Sequence, residues 1–563
     1  MSNPLKWSAE LISSLYSQGA EYAIISPGSR STPLTIAAAL HPHLKKNVVL
    51  DERSAGYIAL GIGKATGKPA ILICTSGTAL ANYLPAVVEA KESGTPMIVL
   101  SADRPPNLRG IGSSQTIDQL KLFGSYAVFF HDAGEPNLLK RDLDRIRYAA
   151  KQAVDFSINK GGASHINLPF RKPLEPGPDQ VAEVTNFFDN SGHPYKTGSG
   201  YNNIQPGKEL HQLLENSARP LLIAGPANSH QQLPEQIHKL AEILNAPVIC
   251  EPGSGMDNQE NLIHRYDQFL RNTNVLKELA PDLIIRFGDQ PLTNSLLTAL
   301  EMWDDVPVIH IASRTDTQDH ALSATHTLFI RRQDQVNFQL SILKPGAGWL
   351  NKWLDYDAKA NNRLQEILDD FTSLTDGHVF HHFTRELGNN WNVMLSNSFP
   401  VRDMALFGRS AAMQFVNRGA AGIDGITSTA IGIHLGTNRP TCCLTGDLAF
   451  LHDTNALLSI QQSEHPLLVV VINNGGGTIF RMLPVYQSGT SVLSDDIFTK
   501  YFETPQHADI KHLAMASGIK FLRITSIVEL QSLHPGSVKE SAIVECITNP
   551  DESIKQRQML WNF

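Results

Sequence analysis

The sequence predicts an α/β protein built from three doubly wound parallel-sheet domains. Short apolar runs alternate with longer helical segments, and this alternation recurs in three blocks. Strands that alternate with helices at such spacing form a parallel sheet covered on both faces. The chain's 563 residues suit several domains. The boundaries expected are 1–182, 200–350 and 375–563.

In the first block, Tyr22–Ile25 reads as a strand that ends in Ser26-Pro27-Gly28-Ser29-Arg30-Ser31. Pro33 suits the first turn of a helix over Leu34–Leu40. Val48–Leu50 reads as a second strand, followed by Asp51-Glu52-Arg53 and a helix rich in small residues. Ala70–Cys74 and Met97–Ser101 read as the third and fourth strands, with Ser76-Gly77-Thr78 turning between them into a helix. Residues 181–205 are polar and Gly-rich, the composition of a linker.

In the second block, strands are expected at Pro220–Ala224, Pro247–Cys250, Leu283–Phe287 and Val308–Ile311. It carries no GxGxxG, so nucleotide binding is not supported there. A helical stretch, Trp349–Thr372, leads into the third block, with strands at Asn392–Leu395, Thr441–Leu444, Leu467–Ile472 and Ala542–Cys546.

Composition narrows the function. Net charge is −8 with no basic run, which argues against nucleic acid as a partner. The five cysteines form no CxxC and read as buried free thiols rather than a zinc site. No apolar run approaches the roughly 18 residues that a membrane span needs. A cytoplasmic enzyme is the expectation.

The chemistry concentrates in two places. Gly446-Asp447 follows one strand, and Asn474 ends the next strand 27 residues later. A carboxylate from Asp447, an amide oxygen from Asn474 and the carbonyl of Gly476 are hard ligands that could hold Mg²⁺ against a diphosphate. The plainer alternative is that Asp447 caps a helix and Asn473-Asn474-Gly475 makes a turn. The second place is Glu52, an acid between a strand and a helix containing Gly56, Ala59, Gly61 and Gly63. A carboxyl in an apolar sheet-edge pocket suits proton sharing. A surface glutamate paired with Arg53 is the alternative. Arg30, Arg104, Arg402 and Arg418 all fall at loop or element ends, where guanidinium forks suit carboxylate substrates.

Taken together, Asp51-Glu52-Arg53-x-Ala55-Gly56, Thr75-Ser76-Gly77-Thr78-Ala79, Gly446-Asp447 and Asn474 resemble the pyruvate-oxidase-like thiamine-diphosphate enzymes over nearly the whole chain. Four further segments resemble one family among them, the menaquinone-biosynthesis synthases that join 2-oxoglutarate to isochorismate. These are Ser26–Pro33, Ala102–Pro106, Asn417–Gly425 and Gly476–Phe480.

This resemblance implies a C–C bond-forming transferase that uses thiamine diphosphate and Mg²⁺ (or Mn²⁺). Glu52 would face the aminopyrimidine ring, with Ile423 propping the cofactor in a bent form and Gly446, Asp447, Asn474 and Gly476 at its diphosphate and metal. Arg30, Arg104, Arg402 and Arg418 would face the substrates with Ser29, Gln115 and Ser398, beside an apolar wall of Ile479, Phe480 and Leu483. The resemblance also implies a homodimer or homotetramer with sites between subunits. One departure stands out. The family's central-domain lysine has no counterpart in Arg286–Ser295, which leaves Asn294, Ser295 and Arg286 as alternatives for its place. Acetolactate synthases, which carry FAD in the middle domain, and 2-oxoacid decarboxylases are the rival readings; the arginine set argues against small uncharged substrates.

Overall fold

The computed structural model describes residues 3–190, 203–227, 233–256, 261–314, 319–331, 334–338, 346, 348–460, 464–487 and 494–563. These form two compact units: Met1–Gly200 with Asn417–Asn438, and Tyr201–Val416 with Arg439–Phe563.

The first unit holds a parallel sheet of β1 (Tyr22–Ile25), β2 (Lys45–Val48), β3 (Ala70–Cys74), β4 (Met97–Asp103), β5 (Ala127–Asp132) and β6 (Ala163–Pro169). Its order is β2-β1-β3-β4-β6-β5. The central strands β3 and β4 are buried along their whole length, as both-face coverage by helices requires. The second strand is a correction. It pairs Lys45–Val48 with Tyr22–Ile25 instead of using Val48–Leu50. As an edge strand with one neighbour it takes its place from backbone pairing, and Val48 and Leu50 are 64% and 72% exposed. The helix expected at Leu34 starts two residues earlier, at Thr32.

The second unit holds two six-stranded parallel sheets. One comprises β8 (Pro220–Ala224), β9 (Val248–Cys250), β10 (Leu262–Ile263), β11 (Leu283–Phe287), β12 (Val308–Ala312) and β13 (His326–Phe329), in the order β10-β9-β8-β11-β12-β13. Beside it, β7 (Asn203–Ile204) pairs with β14 (Gln335–Val336). The other comprises β15 (Asn392–Leu395), β16 (Met413–Val416), β17 (Thr441–Gly446), β18 (Leu467–Asn473), β19 (Lys520–Ile524) and β20 (Ala542–Ile547), in the order β16-β15-β17-β18-β20-β19. The segment read as a linker from 181 begins inside a helix, Pro178–Asn190, whose Val184 and Phe188 pack into the core. Residues 191–202 of that segment lie outside the described residues.

The first and third sheets thus share one strand order, a duplication that the sequence did not display. In each, the chain leaves its first strand toward one side and returns to build the other side. The crevice at that reversal, outside the carboxyl ends of the strands, is where doubly wound sheets bind ligands. It lies between β1 and β3 in one sheet and between β15 and β17 in the other.

Candidate active site

At the first crevice, the loops after β1 and β3 approach closely. A Cβ on Gly28 would sit 2.3 Å from Cβ of Thr75, so only glycine fits. Asp51 caps the helix Glu52–Thr66, accepting the backbone N–H of Arg53 at 2.8 Å and of Ser54 at 3.2 Å. That cap fixes Glu52 in the first turn, half-buried. Its charge reaches the sheet edge. Burial foremost, and Glu52 next, push the Cys74 thiol up. Tyr83 is pushed up by burial first, with Cys74 and Glu52 adding to it.

Arg30 is 4% exposed; its Nη1 donates to the carbonyl of Phe170, just past β6, at 2.7 Å, and its backbone N–H reaches Thr75 Oγ1. Ser29 and Gln115 are exposed. Gln115 has φ 55° and is tied to the turn after β3 in both directions: its Nε2 donates to Ser76 O at 3.1 Å, and Ser76 Oγ donates to Gln115 O at 3.0 Å. Arg104 directly follows β4, half-buried, its N–H donating to Asp103 Oδ1. Beneath these loops runs a polar network that sequence reasoning missed. Gln119 accepts from Gly77 N–H at 2.9 Å and donates to Asn167 Oδ1 at 3.1 Å, and Asn167 donates to Asp103 Oδ2 at 2.9 Å. Each partner sits on a different strand or loop, so no local pattern revealed it.

The segment carrying Arg418 and Ile423 belongs to this same unit. Glu89 anchors it, accepting the N–H groups of Gly419 at 3.1 Å and Ala420 at 2.7 Å, and Tyr57 donates to Asp424 Oδ2 at 2.7 Å. Arg418 and Ile423 are both half-buried.

At the second unit's crevice, Gly446 ends β17 and Asp447 opens the short helix Asp447–His452. Asp447 is 6% exposed and accepts the backbone N–H of Leu448 at 2.8 Å. Burial pushes its carboxyl up to about 6, against the pull of the N–H groups of Leu448 and Gly476, and Asp376 nearby adds to the rise. Asn474 follows β18; its Nδ2 donates to Asp376 Oδ2 at 3.1 Å. Gly475 and Gly476 have φ of 83° and 120°, and a Cβ on Gly476 would meet the carbonyl of Glu503 at 2.4 Å. The structure therefore brings Asp447, Asn474 and Gly476 together. A buried carboxylate beside a second one, next to an amide and a side-chain-free loop, fits a hard divalent cation. Among the described residues no group of three or more His, Cys, Asp or Glu is arranged for a metal. A site of one carboxylate, one amide and one carbonyl would not form such a group.

On the other side of this crevice, Ser398 has φ 73° at the start of the helix Phe399–Leu406, and Arg402 Nη1 donates to its carbonyl at 2.6 Å. Burial pulls the Arg402 guanidinium down, with Asp403 and Asp267 opposing. Ile479, half-buried, with Phe480 and Leu483, each 38% exposed, follows the glycine loop as an apolar surface.

The second sheet has the strand order of dinucleotide-binding folds, but its reversal point is closed. A Cβ on Gly225 would meet Asp289 O at 2.5 Å, and Asp289 N–H donates to Pro226 O at 2.8 Å. Two of the three alternatives for the absent lysine are committed elsewhere. Arg286 is 1% exposed, bonded to Asp319 and His310 at 3.0 Å each, and Ser295 Oγ donates to Asp267 at 2.6 Å. Asn294 is exposed.

Among known proteins, thiamine pyrophosphate enzymes match this chain in two places. Their N-terminal TPP binding domain covers residues 6–122, which hold Glu52, and their C-terminal TPP binding domain covers 404–545, which hold Asp447 and Asn474. Fold, sheet edges and matches define a thiamine-pyrophosphate-dependent enzyme. Relatives named 2-succinyl-5-enolpyruvyl-6-hydroxy-3-cyclohexene-1-carboxylate synthase align over nearly their full length. That of Gloeothece citriformis is 35% identical, over 96% of this chain and 95% of the relative. That of Listeria innocua is 33% identical, over 98% and 96%. That of Bacillus velezensis is 35% identical, over 92% and 90%. The chain belongs to this synthase family. Among the described residues, no helix is long and apolar enough to cross a membrane.

Proposed function

We propose that this chain decarboxylates 2-oxoglutarate and joins the remaining four-carbon unit to isochorismate, giving 2-succinyl-5-enolpyruvyl-6-hydroxy-3-cyclohexene-1-carboxylate and CO₂ in menaquinone biosynthesis. The observation that carries this reading is the pair of acids, Glu52 and Asp447, at the crevices of two sheets with one strand order, each inside a matched TPP-binding domain.

Bound thiamine diphosphate supplies the electron sink that lets carbon dioxide leave. The chain's residues orient and charge-balance that chemistry. Glu52 holds a proton at N1′ of the pyrimidine ring. Oxygens of Asp447 and Asn474 and the carbonyl of Gly476 would hold Mg²⁺ (or Mn²⁺), and with it the diphosphate, with Gly446 giving the phosphates room. Ile423 would brace the bound cofactor for reaction, and proximity is a large part of such catalysis. Arg30, Arg104, Arg402 and Arg418 bind substrate carboxylates as guanidinium forks, Ser29, Gln115 and Ser398 add hydrogen bonds, and Ile479, Phe480 and Leu483 keep water from the carbon skeleton.

The three sheets are read as three domains, 1–182, 200–350 and 375–563, in a cytoplasmic homodimer or homotetramer. The test is consumption of isochorismate with 2-oxoglutarate, with and without thiamine diphosphate and Mg²⁺. Consumption that requires all components supports the reading. No consumption, or consumption indifferent to the cofactor, overturns it.

A further inference from the structure

Asp376 is 1% exposed at the start of the helix Asp376–Glu386, far in sequence from every residue read as a ligand. Its Oδ1 accepts from Thr548 Oγ1 at 2.6 Å. Its Oδ2 accepts from Arg557 Nη2 at 2.7 Å and from Asn474 Nδ2 at 3.1 Å. Arg557, equally buried, forks to Asp403 through Nε at 2.7 Å and lies over the Phe399 ring at 3.7 Å. An arginine stays charged in proteins, and its fork across two aspartates offsets one of their two negative charges.

A carboxylate only accepts hydrogen bonds. Asn474 must therefore turn Nδ2 toward Asp376, which leaves Oδ1, the hard oxygen, pointing away from Asp376. No hydrogen bond to that Oδ1 occurs among the described residues. We propose that Asp376, held by Arg557 and Thr548, is a positioning residue that fixes the Asn474 amide with its oxygen presented to the divalent cation. The proposal rests on the cofactor reading above. Partners of metal ligands commonly set affinity in this way.

The measurement is the Mg²⁺ concentration for half-maximal thiamine diphosphate binding, read by calorimetry on full-length protein whose folding is checked by circular dichroism. Asp376→Asn lets the amide rotate and raises that concentration about tenfold or more. Asn474→Asp raises it too, although a carboxylate is ordinarily the stronger cation ligand, because it sets two acceptors face to face. The double variant restores a donor–acceptor pair with the roles exchanged and returns to within about threefold of wild type.

A merely structural Asp376 lowers the melting temperature without moving the Mg²⁺ midpoint, and that result overturns the proposal. So does an Asn474→Asp variant that binds Mg²⁺ as well as wild type or better, or a double variant no better than its parents. Should Asp376→Asn fail to fold, Asn474→Asp alone decides by the sign of its effect. A wild-type protein that binds thiamine diphosphate without regard to Mg²⁺ brings down the metal reading, and this one with it. Equal midpoints in wild type and variants sink the anchor alone.

Discussion

At the level of single residues, burial sets the chemistry. Glu52 is placed by a capped helix start close enough to the buried Cys74 and Tyr83 for its charge to act on both. Glu52→Gln keeps the shape and removes the proton exchange. Turnover is expected to fall by about 10²–10⁴ while thiamine diphosphate still binds. Near-wild-type turnover in that variant removes Glu52 from the mechanism. His165 shows what full burial does to a titratable side chain outside the proposed chemistry. It is wholly buried against Ser101, Phe123 and Phe130, and desolvation pulls its pKa down to about 3. His310, in the second unit, is pulled down to about 4. The unfolded chain takes up a proton on each below about pH 6.5, and the folded chain does not until far lower. Stability is therefore complete above that pH and is lost as pH falls, by up to about 1.4 kcal/mol per pH unit for each group. Denaturant midpoints at pH 7 and pH 5 should show His165→Gln with a shallower pH slope than wild type. An unchanged slope means His165 is not neutral in the fold.

At the level of elements, the glycines of the helix Glu52–Thr66 find their reason in packing. It crosses the helix Ile426–Thr437 so closely that a Cβ on Gly61 would sit 2.1 Å from Thr429 O, and one on Gly432 would sit 2.0 Å from Ile58 O. The first helix carries Glu52 in its opening turn, and the second follows the loop of Arg418 and Ile423, so this crossing sets one set of proposed cofactor contacts against the other. Gly61→Ala is expected to cost about 1–3 kcal/mol in urea unfolding and to weaken thiamine diphosphate binding. Gly177→Ala, with no atom within 4 Å of the added carbon, should change stability by less than about 0.5 kcal/mol. Equal effects would mean that the crossing is looser than described. The sequence made central strands such as Ala70–Cys74 and Pro220–Ala224 legible to the residue, because burial on both faces leaves only apolar side chains. It hid β6, whose Ser164, His165 and Asn167 are buried yet polar, each bonded to a partner outside the strand. The candidate ligands were legible for the opposite reason: turn residues and acids at strand ends stand out locally. Asp376, Asp403 and Arg557 were not, since their meaning lies in contacts more than 90 residues apart in sequence.

At the level of the whole molecule, the duplicated strand order gives the chain two crevices of one design, with Glu52 at one and Asp447 at the other. A cofactor with a ring at one end and a diphosphate at the other calls for both. The proposed assembly takes them from different subunits, and this can be tested without a structure of the complex. Glu52→Gln and Asp447→Ala chains are each expected to be inactive alone. Co-expressed in equal amounts, half of the dimers pair one chain of each kind. In such a dimer, one site joins the intact Glu52 of one subunit to the intact Asp447 of the other, while the second site carries both defects. Random pairing then yields about a quarter of the wild-type rate. Were each site built within a single chain, every mixed dimer would hold two damaged sites and the mixture would stay as inactive as its parents. Recovery of activity is thus the signature of shared sites, and its absence in a mixture shown by mass spectrometry to contain mixed dimers rejects them.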